Sequence, residues 1–513
     1  MSPSSRVLFV TAVLSCLAAA LSAQRRPGPR AVPVPMLTPP ASIVYGNDMM
    51  SKGRYKEAIV AYQRARLQSH DEEERVLAGI GEITGILRMA GFAGAVDEAA
   101  ALLETAPGNP TAMALYGDAL WAAGRFNEAE AAYGKALETN PQEARALHGR
   151  GRALLAHSQL TEGLAAVRAA TEAAPDVDAY QFTLADGLER LGQLPDAAAA
   201  LDRYQSLMPD RAHNRAAKWA RAHAELLRRF GKARPFEIEN PDQTFVIPFR
   251  GQDRKVIVQA RINGGTPIDI VVDTGAEHSS LTPDIARATH VDPLTVIPTA
   301  GIGERGIGFR DLQVGRIDRL EIGPLRVKNV MCYIKAPALT KMPIQESQAF
   351  APLALGLSVA IDYRTHQLTL ARRLPETAFA VRVPLWMQRL PLVQGTVNGH
   401  ATAPFVVDTG GEIGLVVAGR VATSLKLKPT SRRIPAEVYG TAGRDRSAFV
   451  LPFVDLELGS GVGAQNSSVV VLNLDAPSWL IGIDLGGILG HSFLSQYQVA
   501  IDLGRSELGL TRY

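Results

Sequence analysis

Two matched tripeptides in this chain are candidates for chemistry: Asp273-Thr274-Gly275 and Asp408-Thr409-Gly410. A carboxylate held about 3 Å from a second carboxylate cannot ionise at the same time as its neighbour. Such a pair keeps one proton between them, so one member can act as general base on a water while the other donates a proton. A pair of this kind titrates as a unit, and neither role belongs to one residue on sequence grounds. A single Asp-Thr-Gly is weak evidence, because ordinary residue frequencies produce it in roughly one chain in ten of this length. The second copy, with its flanks, is what gives the motif meaning.

Those flanks repeat with the same offset. Asn263-Gly264 precedes Asp273 by ten residues, and Asn398-Gly399 precedes Asp408 by ten. Glu277 and Glu412 keep the spacing as well. Each copy closes on a similar strand pair, Val359-Ala360-Ile361-Asp362 with Gln367 to Leu370, and Val499-Ala500-Ile501-Asp502 with Glu507 to Leu510. Each unit reads as a hairpin turned at Asn-Gly, the strongest short-range hairpin signal. An apolar strand then delivers the Asp into a tight turn, with Gly allowing the backbone to bend beside the carboxylate. The β-branched runs around Val256–Ile262, Ile268–Val272, Phe405–Val407 and Ser468–Leu472 make this half mainly β. The two units span 243–373 and 385–513.

Val271-Val272-Asp273-Thr274-Gly275-Ala276, Val406-Val407-Asp408-Thr409-Gly410-Gly411 and the late segment Ile488-Leu489-Gly490-His491-Ser492-Phe493-Leu494 together resemble the retropepsin-like aspartic proteases. That resemblance implies a two-lobed fold with Asp273 and Asp408 as a dyad within one chain. It implies that Thr274 and Thr409 hold the two loops together, and that Gly275 and Gly410 turn amides toward the carboxylates. The sharing of a proton by such a dyad is a known property of aspartic proteases and is carried over from them. Gly-rich stretches at the flap positions, with Gly301 and Gly303 in the first lobe and Gly440 and Gly443 in the second, would close over an extended peptide. No metal and no cofactor is called for.

Three features depart from the family pattern. Leu353 to Ser358 runs almost directly into Val359, so lobe one has little of the late helix and its support for Asp273 is in question. Glu277 and Glu412 stand unusually near the Asp residues and, if close, would raise their pKa. Gly411 replaces the usual small Ala or Ser, a mild change.

Ahead of the β half lies a 34-residue repeat. Pro107, Pro141, Pro175 and Pro209 keep this step, as do Phe92, Phe126, Leu160 and Leu194, and Ala95, Ala129, Gly163 and Ala197. Small residues fall where two helices pack closely, and proline ends each second helix because it cannot extend the ladder. The pattern resembles the tetratricopeptide repeat. About five repeats span residues 42–234, with the basic stretch Arg221 to Arg234 as a cap. Solenoids offer a concave surface, so a protein partner is expected on that face.

The remaining signals set boundaries. Arg6, the apolar run from Val7 to Leu21 and Leu21-Ser22-Ala23 read as a signal peptide over residues 1–23, followed by a Pro/Arg-rich linker over 24–41. Export to the periplasm or outside the cell follows, with no membrane span in the mature chain. Anchoring as a lipoprotein through Cys16 is the alternative, disfavoured because the apolar run continues past it. Cys332, the other of two cysteines, reads as a core residue. A net charge of +3 without a basic stripe argues against nucleic acid. Gly301-Ile302-Gly303-Glu304-Arg305-Gly306 matches a dinucleotide fingerprint but lacks the helix that must follow. His278 and His491 show no metal-ligand spacing. The expectation is therefore an α-solenoid of helix pairs followed by a mainly-β, bilobal aspartic-protease fold. It would act as an exported endopeptidase on peptide or protein substrates, or else as a catalytically degenerate binding scaffold.

Overall fold

The computed structural model describes residues 11–12, 16–17, 34–231, 233–252, 255–301, 308–336, 348–426, 434–440, 443–459 and 461–513. Most of the expected signal peptide and linker, and Gly303, lie outside the described residues. Within the former, Thr11–Ala12 pairs with Val438–Gly440 and Cys16–Leu17 with Pro293–Gly301.

Five helix pairs run from Pro39 to Leu207, and a further helix, Arg215–Phe230, closes the series. The repeat positions have a structural meaning. Phe92, Phe126, Leu160 and Leu194 each begin a second helix, and Ala95, Ala129, Gly163 and Ala197 face its buried side. The first helices of successive pairs approach one another more closely than the second helices do, so the stack curls toward them. It curls until its ends meet. Arg88, ending the first helix of the second pair, donates to Asp178, opening the first helix of the fifth, at 2.6 Å. A Cβ on Gly53 would touch the Pro209 ring at 3.0 Å. The inner face is thereby bridged by an ion pair, which leaves less room for the partner expected there.

The β half consists of two lobes joined by a shared sheet. In lobe one, Ile268–Val272 pairs with Lys255–Ile262 and, in parallel, with Ala349–Phe350. In lobe two, Ala401–Asp408 pairs with Leu390–Val397 and, in parallel, with Gly487–Gly490. Beneath both runs a six-stranded antiparallel sheet. Its order is Val381–Gln388, Glu507–Arg512, Tyr497–Asp502, Ser358–Asp362, Gln367–Ala371 and Phe245–Pro248. The two duplicated strands meet at its centre, Ala360 opposite Ala500. The lobes are thus related by an approximate two-fold axis and fused into one core that includes Phe245, Ile361, Leu370, Ile501 and Leu510.

The solenoid is not a separate module. Its inter-helix turns and final helix sit on the lobes. Trp121, Phe126 and Tyr133 share a core with Trp386, Leu392, Val406 and Ile483 of lobe two. Trp219, Leu227 and Phe230 share another with Ile297, Leu312, Met331 and Tyr333 of lobe one. The basic stretch expected to cap the stack is therefore the polar side of an amphipathic helix whose apolar side is buried on lobe one. Among the described residues, no helix is long and apolar enough to cross a membrane.

Candidate active site

The parallel neighbours of each central strand deliver the two Asp-Thr-Gly turns to the two-fold axis. Phe350 accepts from the Asp273 amide at 2.9 Å, and Asp408 stands opposite Gly490 in the lobe-two ladder. The turns then grip each other. Thr274 Oγ1 donates to the Val407 carbonyl (2.7 Å) and accepts from the Thr409 amide (3.0 Å). Thr409 Oγ1 donates to the Val272 carbonyl (2.7 Å) and accepts from the Thr274 amide (3.1 Å). All four groups are buried, where such bonds are expensive to lose.

The glycines face across the axis. A Cβ on Gly275 would lie 2.6 Å from the Asp408 carboxyl carbon, and one on Gly410 would lie 2.6 Å from Asp273 Oδ2. Only a residue without a side chain lets each backbone approach the opposite carboxylate this closely. Asp273 and Asp408 are 1% and 0% exposed, and the charge of Asp408 acts on Asp273. Oδ2 of Asp408 is buried with no hydrogen-bond partner among the described residues.

The pair is electrostatically unequal. Asp408 Oδ1 accepts from the amides of Gly410 (2.9 Å) and Gly411 (3.0 Å), whereas Asp273 Oδ1 accepts from Gly275 alone (3.0 Å). Burial raises both carboxyls. Asp408 reaches only about 6, because its amide donors, the contact with Asp273 and the Lys255 ammonium favour the anion. Asp273 is pushed well above the usual carboxylate range by burial and then by the charge of Asp408, with Lys335 partly opposing. With two amide donors against one, Asp408 is the half better furnished to hold a negative charge. Gly411 contributes one of these amides through its backbone, and a Cβ there would stand 2.9 Å from Asp408 Oδ2.

The two glutamates near the motifs are turned to other partners. Glu277 receives Arg389 Nε at 2.7 Å and Nη2 at 3.3 Å, and Glu412 lies 3.2 Å from Lys255 Nζ. Each pair crosses between lobes, and the axis relates one to the other. Burial raises the Glu277 pKa and Arg389 opposes it. The neighbouring charge that chiefly raises Asp273 is that of Asp408, and Glu277 is held in a cross-lobe clasp with Arg389.

Lobe two braces its turn with a helix, His491–Leu494: the His491 amide donates to Gly411 O and Ser492 Oγ to Glu412 O. Lobe one has only a 3₁₀ turn, Leu353–Leu355, and a bond from the Ala351 amide to Ser279 Oγ. The shortening seen in the sequence is real.

Gly301 pairs with Gly308 in the hairpin of Pro293–Gly301 and Gly308–Ile322, and Gly440 pairs with Gly443 in that of Val438–Gly440 and Gly443–Asp445. The dinucleotide reading fails here, since a strand rather than a helix follows. Cys332 is buried, with its thiol pushed up to about 12 by burial, and the half-buried His278 and buried His491 have pKa values lowered to about 4, chiefly by desolvation. Sequence reasoning missed Lys255, Arg389 and Lys335. The first two could have been found by extending the repeat offset back into the matching hairpins, where a base stands 18 residues before Asp273 and another 19 before Asp408. Lys335 has no such signal, since its place after Leu325–Ile334 follows from strand pairing alone.

Comparison with known proteins agrees with this geometry. Residues 258–358 and 393–493 each match the family model for aspartyl proteases, and residues 87–144, 117–178 and 148–217 match that for tetratricopeptide repeats. Among solved structures, the chain is similar to the aspartic proteinase from Irpex lacteus (12% identity, 53% of this chain and 97% of that one, TM-score 0.33). It is also similar to a thermophilic repeat protein, TTC0263, of Thermus thermophilus (18% identity, 34% and 93%, TM-score 0.29). A third similar structure is YrrB, a repeat protein described as having an unusual peptide-binding site (19% identity, 34% and 88%, TM-score 0.21). A search of curated proteins gave no match.

Proposed function

We propose that this chain, in which tetratricopeptide repeats precede a two-lobed aspartyl protease half, is an exported aspartic-type endopeptidase. The observation that carries this reading is the buried Asp273–Asp408 pair, each carboxylate faced by the glycine of the opposite motif. A water held between the carboxylates loses a proton to Asp408 and attacks the peptide carbonyl. Asp273 supplies the proton that neutralises the carbonyl oxygen. Protons then redistribute within the pair as the leaving nitrogen is protonated and the C–N bond breaks. The hairpins carrying Gly301 and Gly440 close over an extended peptide and add to it as strands. Repeats of this kind serve protein–protein interaction, and the solenoid recruits substrate or a partner. Export rests on the leader read in the sequence.

The test is cleavage of a mixed peptide library by the purified full chain, from acidic to neutral pH, against Asp273→Asn and Asp408→Asn. Cleavage by the parent and loss in both variants supports the mechanism. Equal activity in all three excludes it. A parent that binds but does not cut peptides at any pH leaves the protein as a scaffold built on a protease fold.

A further inference from the structure

We propose that the last solenoid helix is a working part of the catalytic centre: Trp219 holds Arg389, and Arg389 in turn holds Glu277 and positions the Asp273 turn. The inference rests on the peptidase reading for its consequence in catalysis, though not for its geometry.

Arg389 is the tip residue of the hairpin between Val381–Gln388 and Leu390–Val397, with φ at +61°. A side chain in that left-handed region costs about 1 kcal/mol, and such strain persists where the surroundings over-determine it. Here they come from three directions. Glu277, four residues after Asp273, takes the guanidinium in a two-pronged pair, its side chain 5% exposed. The Trp219 ring lies beside the guanidinium, its centroid 5.5 Å from Cζ, a cation–π contact strengthened by burial. Behind it, His223 stacks on Trp219 at 4.9 Å and 17° and bonds to Glu189 at 2.7 Å. The Glu189 charge also acts on Arg389.

The opposite clasp, Lys255–Glu412, shows why this matters. Its turn is braced from inside lobe two by the helix that begins at His491. Lobe one has the short Leu353–Leu355 turn in the matching place. The support that lobe two draws from its own helix is drawn by lobe one from the solenoid. Trp219 and Arg389 are positioning residues, and the solenoid is thereby coupled to the dyad.

The experiment uses the full chain with Trp219→Ala, Trp219→Phe, Arg389→Gln and Arg389→Lys. Amide hydrogen exchange is followed by mass spectrometry in peptides covering 273–281 and 408–418, alongside cleavage kinetics. Trp219→Ala and Arg389→Gln should speed exchange in 273–281 severalfold, leave 408–418 unchanged, and lower kcat about tenfold or more with little change in KM. Trp219→Phe, which keeps an aromatic face, and Arg389→Lys, which keeps the charge, should recover part of both. Unaltered exchange in 273–281, or equal loosening of both turns, overturns the proposal. If the parent cleaves nothing, the peptidase reading falls and the exchange data alone decide this inference.

Discussion

The backbone of Gly410 lies against the carboxylate of Asp273, so close that a Cβ at 410 would stand 2.6 Å from Oδ2. Neither side can yield easily. Asp273 is buried and tied to the Gly275 amide, and Gly410 donates its own amide to Asp408. Gly410→Ala is therefore expected to displace Asp273 and lower kcat/KM at least about 100-fold, with an overpacking cost of about 1–3 kcal/mol. A methyl group on Gly134, in the helix Phe126–Thr139, would meet nothing within 4 Å. Gly134→Ala should leave activity intact and stabilise by about 0.5–1 kcal/mol. Kinetics and thermal melts of the two alanine variants separate crowding of the dyad from a generic glycine effect.

The threonine grip gives a second prediction. Thr274→Val removes a hydroxyl that serves both the Val407 carbonyl and the Thr409 amide. Two buried groups on lobe two lose their partner, at about 2–4 kcal/mol. Thr274→Ser keeps the oxygen and should cost less than about half of that. Thr409→Val should match Thr274→Val, since its hydroxyl bonds Val272 and Thr274 in the same way. Urea unfolding of the four proteins measures this; an equal loss in Ser and Val variants would show that the hydroxyl is not the stabilising element.

The Asp408 pKa predicts how stability varies with pH. Folding raises it from 3.8 to about 6, chiefly by burial. A carboxyl raised on folding favours the folded state while protonated. Its contribution is full below about 3.8 and is lost as pH rises through about 6. Asp408→Asn keeps an oxygen for the Gly410 and Gly411 amides without the buried charge. It should abolish activity yet raise stability at pH 7 on the order of 2–3 kcal/mol, with no gain near pH 3. Melting temperatures of parent and variant across this range test the sign; a variant less stable than the parent at pH 7 would contradict it.

Much of the site could be read in the sequence because it is duplicated. Asp273 and Asp408, the threonines and the glycines each have a partner at one offset, and the fold places those partners across an axis. What could not be read depends on which surfaces meet. Arg389 looks like an ordinary hairpin arginine until Glu277 and Trp219 are brought to it from two other parts of the chain. Trp219 is a buried residue of the last solenoid helix that meets both the lobe-one core and Arg389 of lobe two. The 34-residue period reveals helix pairs but is silent on their curl. The closure at Arg88 and Asp178 joins positions 90 residues apart, and no local pattern encodes it.

The junction between solenoid and lobes yields the last prediction. Phe126 is fully buried, with its ring 4.9 Å from Trp121 in the solenoid and 4.7 Å from Trp386 in lobe two. Phe126→Ala would open a cavity shared by both halves, costing about 3–5 kcal/mol. Because Trp386 lies in a hairpin that also carries Arg389, the lobes and the solenoid should lose stability together. Calorimetry is expected to show one shifted transition covering the whole chain. Residues 236–513 alone would expose the apolar surface around Trp386, Met331 and Tyr333 and should aggregate when expressed without the solenoid. A soluble, active fragment, or two transitions of which only one moves, would mean that the solenoid and the lobes are energetically independent.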